Sequence, residues 1–119
     1  MSKESEYAFV EHILDLLSSM GDVTVKRMFG GYGLFQEGRM FGLTSDSRLY
    51  LKTDAENRPA FAARGMEPFH FERKDKTVTT SYYEAPEEAL EDEAEMMRWA
   101  ESGRRAALRA AREKAGKGK

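Results

Sequence analysis

Apolar and polar positions alternate along this chain with two different periods, and the switch between them divides it into elements. Phe9, Val10, Ile13, Leu14, Leu16, Leu17 and Met20 share one face at helical spacing, while Glu4, Glu6, Glu11, Asp15 and Ser18 take the other. That pattern predicts an amphipathic first helix, stopped by Gly21 at the position a helix C-terminus favours. From Val23 the helical period disappears. Short apolar runs follow at Val23–Phe29, Tyr32–Phe35, Met40–Leu43 and Leu49–Lys52. Residues 36–39 and 45–48 between them have turn composition. The stretch reads as three strands joined as an antiparallel meander. In its last run, alternation sets Leu49 and Leu51 against Tyr50 and Lys52.

A short helix is predicted from about Asn57 to Arg64, with Pro59 in its first turn, Gly65 at its end and Pro68 preventing its resumption. Phe69–Glu72 and Val78–Tyr83 read as two more strands around the charged turn 73–76. Pro86 opens the last helical region, and Asp92 with Glu95 three residues on has the form of a capping box. Met96, Ala100, Gly103 and Ala107 make a stripe of mostly small residues, suited to close approach by a neighbour. The element order is α-β(3)-α-β(2)-α. Strands that follow one another without crossover helices argue for an α+β two-layer sandwich with an antiparallel sheet. Residues 1–114 read as one domain and 115–119 as a disordered basic tail.

Composition narrows the function classes. A chain of 119 residues suits one domain and is long enough for a core of its own. With no cysteine, thiol catalysis, disulfides and Cys-ligated zinc are excluded. The start of the chain lacks a secretory pattern and no apolar run approaches a membrane span, so a cytoplasmic protein is expected. Charge is segregated along the sequence. Residues 1–103 carry 12 Lys and Arg against 20 Asp and Glu, whereas residues 104–119 carry seven basic residues against Glu113 alone. An acidic body does not suit a duplex-DNA surface, which leaves Arg104, Arg105, Arg109 and Arg112 as the candidate nucleic-acid contacts. The basic order at the helix end also complements the helix dipole.

The glycine-rich segment 27–35 is the most conspicuous motif. Phosphate cradles of this kind lead into a helix N-terminus, but a strand-like run follows here. Phe29, Gly30, Gly31, Gly33, Gly42 and Gly65 therefore read as a structural signature of bends and close backbone approaches. The alternative is a small-anion or partner contact made by Arg27, Tyr32 and Lys52. His12 and His70 carry no metal or triad pattern, so no catalytic, cofactor or metal site is expected. The aromatics Phe29, Tyr32, Phe35, Phe41, Tyr50, Phe69, Phe71, Tyr82 and Tyr83 have the residue type for base stacking, although strand aromatics more commonly pack a sheet.

The ordered set Arg27-Met28-Phe29-Gly30-Gly31-Tyr32-Gly33-Leu34-Phe35, Phe41-Gly42-Leu43, Leu49-Tyr50-Leu51-Lys52, Arg58-Pro59-Ala60-Phe61, Gly65, Pro68-Phe69, Tyr82-Tyr83, Pro86-Glu87-Glu88-Ala89-Leu90 and Trp99-Ala100 resembles the N-terminal domain of the TfoX/Sxy family. The resemblance implies a two-layer α+β fold similar to secretion chaperones, and related folds often dimerise. It also implies a link to regulators of natural competence that act with the cAMP receptor protein and carry a further C-terminal domain. The family supplies no catalytic residues to carry over. The expectation is therefore a stand-alone, non-enzymatic regulatory or protein-interaction module with an unknown protein partner or a second copy. The small-residue stripe and a sheet edge are the expected contact surfaces.

Overall fold

A computed structural model describes residues 3–28 and 30–117. The chain runs α1 (Lys3–Leu16), β1 (Thr24–Met28), β2 (Gly31–Gln36), β3 (Arg39–Ser45), β4 (Arg48–Lys52), α2 (Arg58–Ala63), β5 (Pro68–Arg73), β6 (Lys76–Glu84) and α3 (Glu93–Lys117). Short 3-10 turns at Ser18–Met20 and Glu87–Leu90 precede β1 and α3. All six strands form one antiparallel sheet in the order β1-β2-β3-β4-β6-β5.

The α+β architecture matches the expectation from periodicity, with one strand more than the meander was expected to hold. The first run holds a strand of its own, Thr24–Met28, because Met28 pairs with Gly31 and Gly30 turns the chain before β2 at φ 77°. The other hairpins turn in two residues each, at Glu37-Gly38, Asp46-Ser47 and Lys74-Asp75, with positive φ at both positions. That geometry is the type I′ turn, whose twist matches that of the flanking strands.

A bulge in β3 brings an extra side chain into the core. Leu34 pairs with Gly42 but Phe35 pairs with Met40, so Phe41 has no partner on β2. Phe41 is fully buried beside Leu34, Leu51, Phe61, Met96, Trp99 and Ala100. All three helices cover this one side of the sheet: α1 through Tyr7 against Tyr32, α2 through Phe61 against Tyr83, and α3 through Gly103. A Cβ at Gly103 would stand 3.1 Å from the Phe41 carbonyl oxygen and 3.2 Å from the Leu51 Cβ, so α3 lies almost on the strand backbones.

Asp92 and Gly65 act at the helix ends as the sequence predicts, while α1 ends at Leu16 and Gly21 closes the 3-10 turn that follows. Asp92 accepts the Glu95 backbone N–H at 2.9 Å, as a capping box requires. Gly65 and Met66 donate to the carbonyls of Ala62 and Phe61, closing α2 in a Schellman motif. Asn57 makes no cap; its side-chain amide donates to Lys52 and Ser102 carbonyls and ties α2 to β4 and α3. Glu6, placed on the polar side of the first helix by periodicity, is only 6% exposed and accepts the Ser47 backbone N–H at 2.8 Å. The helix α3 continues through Lys117, so residues 115–117 are helical where a disordered tail was expected; 118–119 lie outside the described residues.

Candidate binding surface

With every helix on one side, the other side of the sheet is open. Register and alternation decide which residues it carries. The row Val25–Leu34–Gly42–Leu51–Tyr83–Pro68 faces the helices. One residue on in each of the first five strands' pairings, Lys26–Gly33–Leu43–Tyr50–Glu84 faces out.

The open side is rich in rings and methionine. A Cβ at Gly33 would collide with Met28 Sδ at 2.6 Å, Met40 Sδ at 2.9 Å and the Phe35 ring at 2.9 Å, so glycine leaves room for three apolar side chains to close over the backbone. Tyr50 packs on Phe69 with centroids 5.0 Å apart, and Phe69 stacks on Phe71 at 6.1 Å. Val78, opposite Phe71, is exposed. Tyr82 donates its hydroxyl to the Met40 carbonyl, and burial pushes its pKa up to about 12. Burial first, and Glu84 second, raises the Tyr50 pKa.

Cations are interleaved with these rings. Lys26 Nζ sits 5.0 Å above Phe35, and Lys52 Nζ sits 5.2 Å above Tyr82 while donating to Ser81 Oγ at 2.7 Å. Burial lowers the Lys52 pKa, and Asp54 partly opposes this. Arg48, Arg73 and Lys76 alternate onto the same side, and all three are exposed. Within the strands only Glu84 opposes them, bonded to Arg48 at 3.3 Å. Asp46 and Glu67 border that corner, in a cleft of about 380 Å³ that also takes in Phe69 and His70. The acidic excess of residues 1–103 sits largely elsewhere, with Glu11 and Asp15 on α1 and Glu87, Glu88, Glu91, Asp92, Glu93 and Glu95 around the start of α3.

The residues expected to form an anion site do not converge. Arg27 and Tyr32 are direct cross-strand partners on the helix side, where Tyr7 packs edge-on against Tyr32. Lys52 stands on the opposite side, two strands further on. Phe29 lies outside the described residues. Gly31 and Gly42 are crowded by backbone, with a Cβ falling 1.9 Å from the Thr44 oxygen and 3.1 Å from the Tyr50 oxygen.

The candidate nucleic-acid contacts on α3 are mostly engaged within the fold. Arg109 grips Asp54 through two hydrogen bonds, of 2.6 and 3.0 Å, and holds the Asp54 pKa at about 2. Arg104 forks onto Glu101, which Arg105 also reaches at 3.5 Å. Arg112 alone of the four is exposed without an ion pair among the described residues. The small-residue stripe is no contact surface either: Met96, Ala100, Gly103 and Ala107 are buried against the chain's own sheet.

His12 donates to the Leu90 carbonyl, and among the described residues no three His, Asp or Glu cluster as metal ligands. No helix of the described residues is long and apolar enough to cross a membrane. A cleft of about 650 Å³ between the first 3-10 turn, the β2–β3 turn and α3 is lined by polar and acidic side chains such as Asp22, Gln36, Glu37 and Glu101.

The family model described as the TfoX N-terminal domain matches residues 15–107. The chain belongs to the TfoX family. It is 34% identical over 86 residues to "DNA transformation protein TfoX1" of Aliivibrio fischeri, covering 71% of this chain and 41% of the relative. It is 32% identical over 78 residues to "DNA transformation protein TfoX" of Haemophilus influenzae, covering 64% and 36%. The chain thus spans about two fifths of the length of these TfoX relatives. The region matched to the TfoX domain runs from the end of α1 to the middle of α3 and includes the whole sheet.

Proposed function

We propose that this TfoX-family protein is a non-enzymatic regulatory module that works in the cytoplasm by docking a macromolecule on the helix-free side of its sheet, in the service of DNA transformation. The observation that carries the reading is the makeup of that side. Half-buried rings and methionines surround Gly33, cations outnumber acids, and no helix covers them. Partly exposed rings and methionines side by side on a face that no helix covers give a partner apolar area to bury. The names of the two relatives support a role in transformation.

The test is complementation in the native host. Deleting the gene should lower natural transformation, and the wild-type chain should restore it. A Lys26→Glu, Lys76→Glu variant should fold and fail to restore it, whereas Arg105→Glu, Arg112→Glu on the far side of the molecule should restore it. Full complementation by the sheet variant, with wild-type folding confirmed by circular dichroism, would overturn the reading.

A further inference from the structure

We infer that the open sheet side is a binding platform for single-stranded nucleic acid; the inference rests on the docking reading above and names its ligand. Charge is the first argument. The chain is acidic overall, with net charge −2, yet five of the six charged strand residues that alternate onto this side are Lys or Arg. The helix-free side is thus a basic surface on a chain that is acidic overall, and such a surface selects a polyanion.

Rings are the second argument. Phe35 on β2, Tyr50 on β4, Tyr82 on β6 and Phe71 on β5 lie on this one side, so an extended ligand crossing the strands meets aromatic faces in succession. Bases of a single strand expose their flat faces for such stacking, and every base has one; a duplex hides them. Lys26 and Lys52 stand over Phe35 and Tyr82, so bases that stack on these rings displace the two cations, which are then within reach of the phosphates of the same strand. A flat antiparallel sheet with its helices behind it also offers no protruding element for a major groove. The charge distribution sets a protein partner or a second copy behind this ligand: rings alone serve a protein interface, but Lys26, Arg73 and Lys76, on a side where Glu84 is the acidic residue within the strands, do not favour self-association of like faces.

The test is fluorescence anisotropy of the full chain with a labelled mixed-sequence 20-nucleotide DNA, the same sequence as RNA, and its DNA duplex. The single strands should bind more tightly than the duplex. With about four phosphates neutralised, log K should fall with log salt at a slope of about −3. Lys26→Glu with Lys76→Glu should weaken binding at least tenfold. Phe71→Leu, which keeps an apolar side chain but removes a ring, should weaken it about fivefold or more, the loss of one stacked base. Arg105→Glu with Arg112→Glu should change it less than twofold. The DNA and RNA arms identify which single strand is preferred. Absence of binding at 50 mM salt, duplex preference, or insensitivity to both sheet variants overturns the inference. If that failure accompanies loss of transformation in the same sheet variants, the docking reading survives with a protein partner. If light scattering then shows a dimer that those variants dissolve, the partner is a second copy. If transformation is also unaffected, both readings fall.

Discussion

The two sides of the sheet are built from the same strands, one residue out of phase, and have been given opposite chemistry. Leu34, Leu51 and Tyr83 on the helix side pack into a core that Phe41 joins through its bulge. Gly33, Tyr50 and Glu84 on the other side support rings and cations that no element covers. Because side chains alternate with period two, a slip of one residue would exchange the sides, so register alone separates the part that folds from the part that binds. The bulge at Phe41 locally breaks that alternation in favour of the core.

Mutation should find this asymmetry, most strongly in ring deletions. Phe41→Ala removes a fully buried ring between β3 and α3, and about 3–5 kcal/mol of stability should go with it. Phe71→Ala, at the half-exposed end of the outer ring row, should cost about 1 kcal/mol or less. Urea denaturation of both variants gives the comparison. Equal losses would mean that the outer rings are a second core and not a surface held for a ligand.

A smaller effect separates the sides by backbone distance. At Gly103, helix propensity favours any side chain over glycine by up to about 1 kcal/mol. Contact distance opposes it, since the Phe41 carbonyl and Leu51 leave no room. Gly103→Leu should therefore destabilise by about 2 kcal/mol despite the gain in propensity. A melting temperature at or above wild type would show that α3 can lift off the sheet at little cost.

Much of this was legible in the chain. The two periods located the three main helices and five of the six strands, and the Leu49 to Lys52 alternation already assigned β4 its buried and outer faces. Asp92, Gly65 and the charged turn before Lys76 are local signals, and local signals survive in sequence. What was not legible was which side chains share a face of the sheet. Charge summed along residues 1–103 gave an acidic body and sent the nucleic-acid contacts to α3. Summed over the strands alone, the same residues are net basic, and on α3 Arg104, Arg105 and Arg109 are satisfied by Glu101 and Asp54. Arg27 and Lys52 flank one sequence signature yet sit on opposite sides of the sheet, which only the parity of their pairings reveals. The aromatic list was right in residue type, and covering helices then divided it into core members and outer ones.

The α3 ion pair offers an effect of about 1 kcal/mol whose pH dependence is known in sign. Arg109 and two backbone N–H groups hold Asp54 at about 2, against an ordinary 3.8. A carboxylate depressed by folding stabilises the fold above its unfolded pKa, and that contribution disappears as protons enter the folded state. Asp54→Asn should therefore be less stable than wild type by about 1 kcal/mol at pH 7, a partly exposed pair being worth little more. The gap should close between about pH 4 and pH 2. Urea midpoints across that range check it, and a gap that persists below pH 2 would assign Asp54 a purely geometric role in the turn before α2.

The smallest effect bears most directly on the comparison. Lys26→Met removes an exposed cation from the outer row and leaves its apolar stem over Phe35. If the outer side exists to fold the chain, the lost cation–π contact should appear as about 1 kcal/mol or more of stability. If it exists to meet a ligand, the change should stay within about 0.5 kcal/mol, the range of ordinary surface substitutions. The second outcome is expected, because Lys26 lies on the edge strand β1 in contact with water, where such contacts are weakest. Thermal melts of wild type and Lys26→Met at the same salt concentration decide between them.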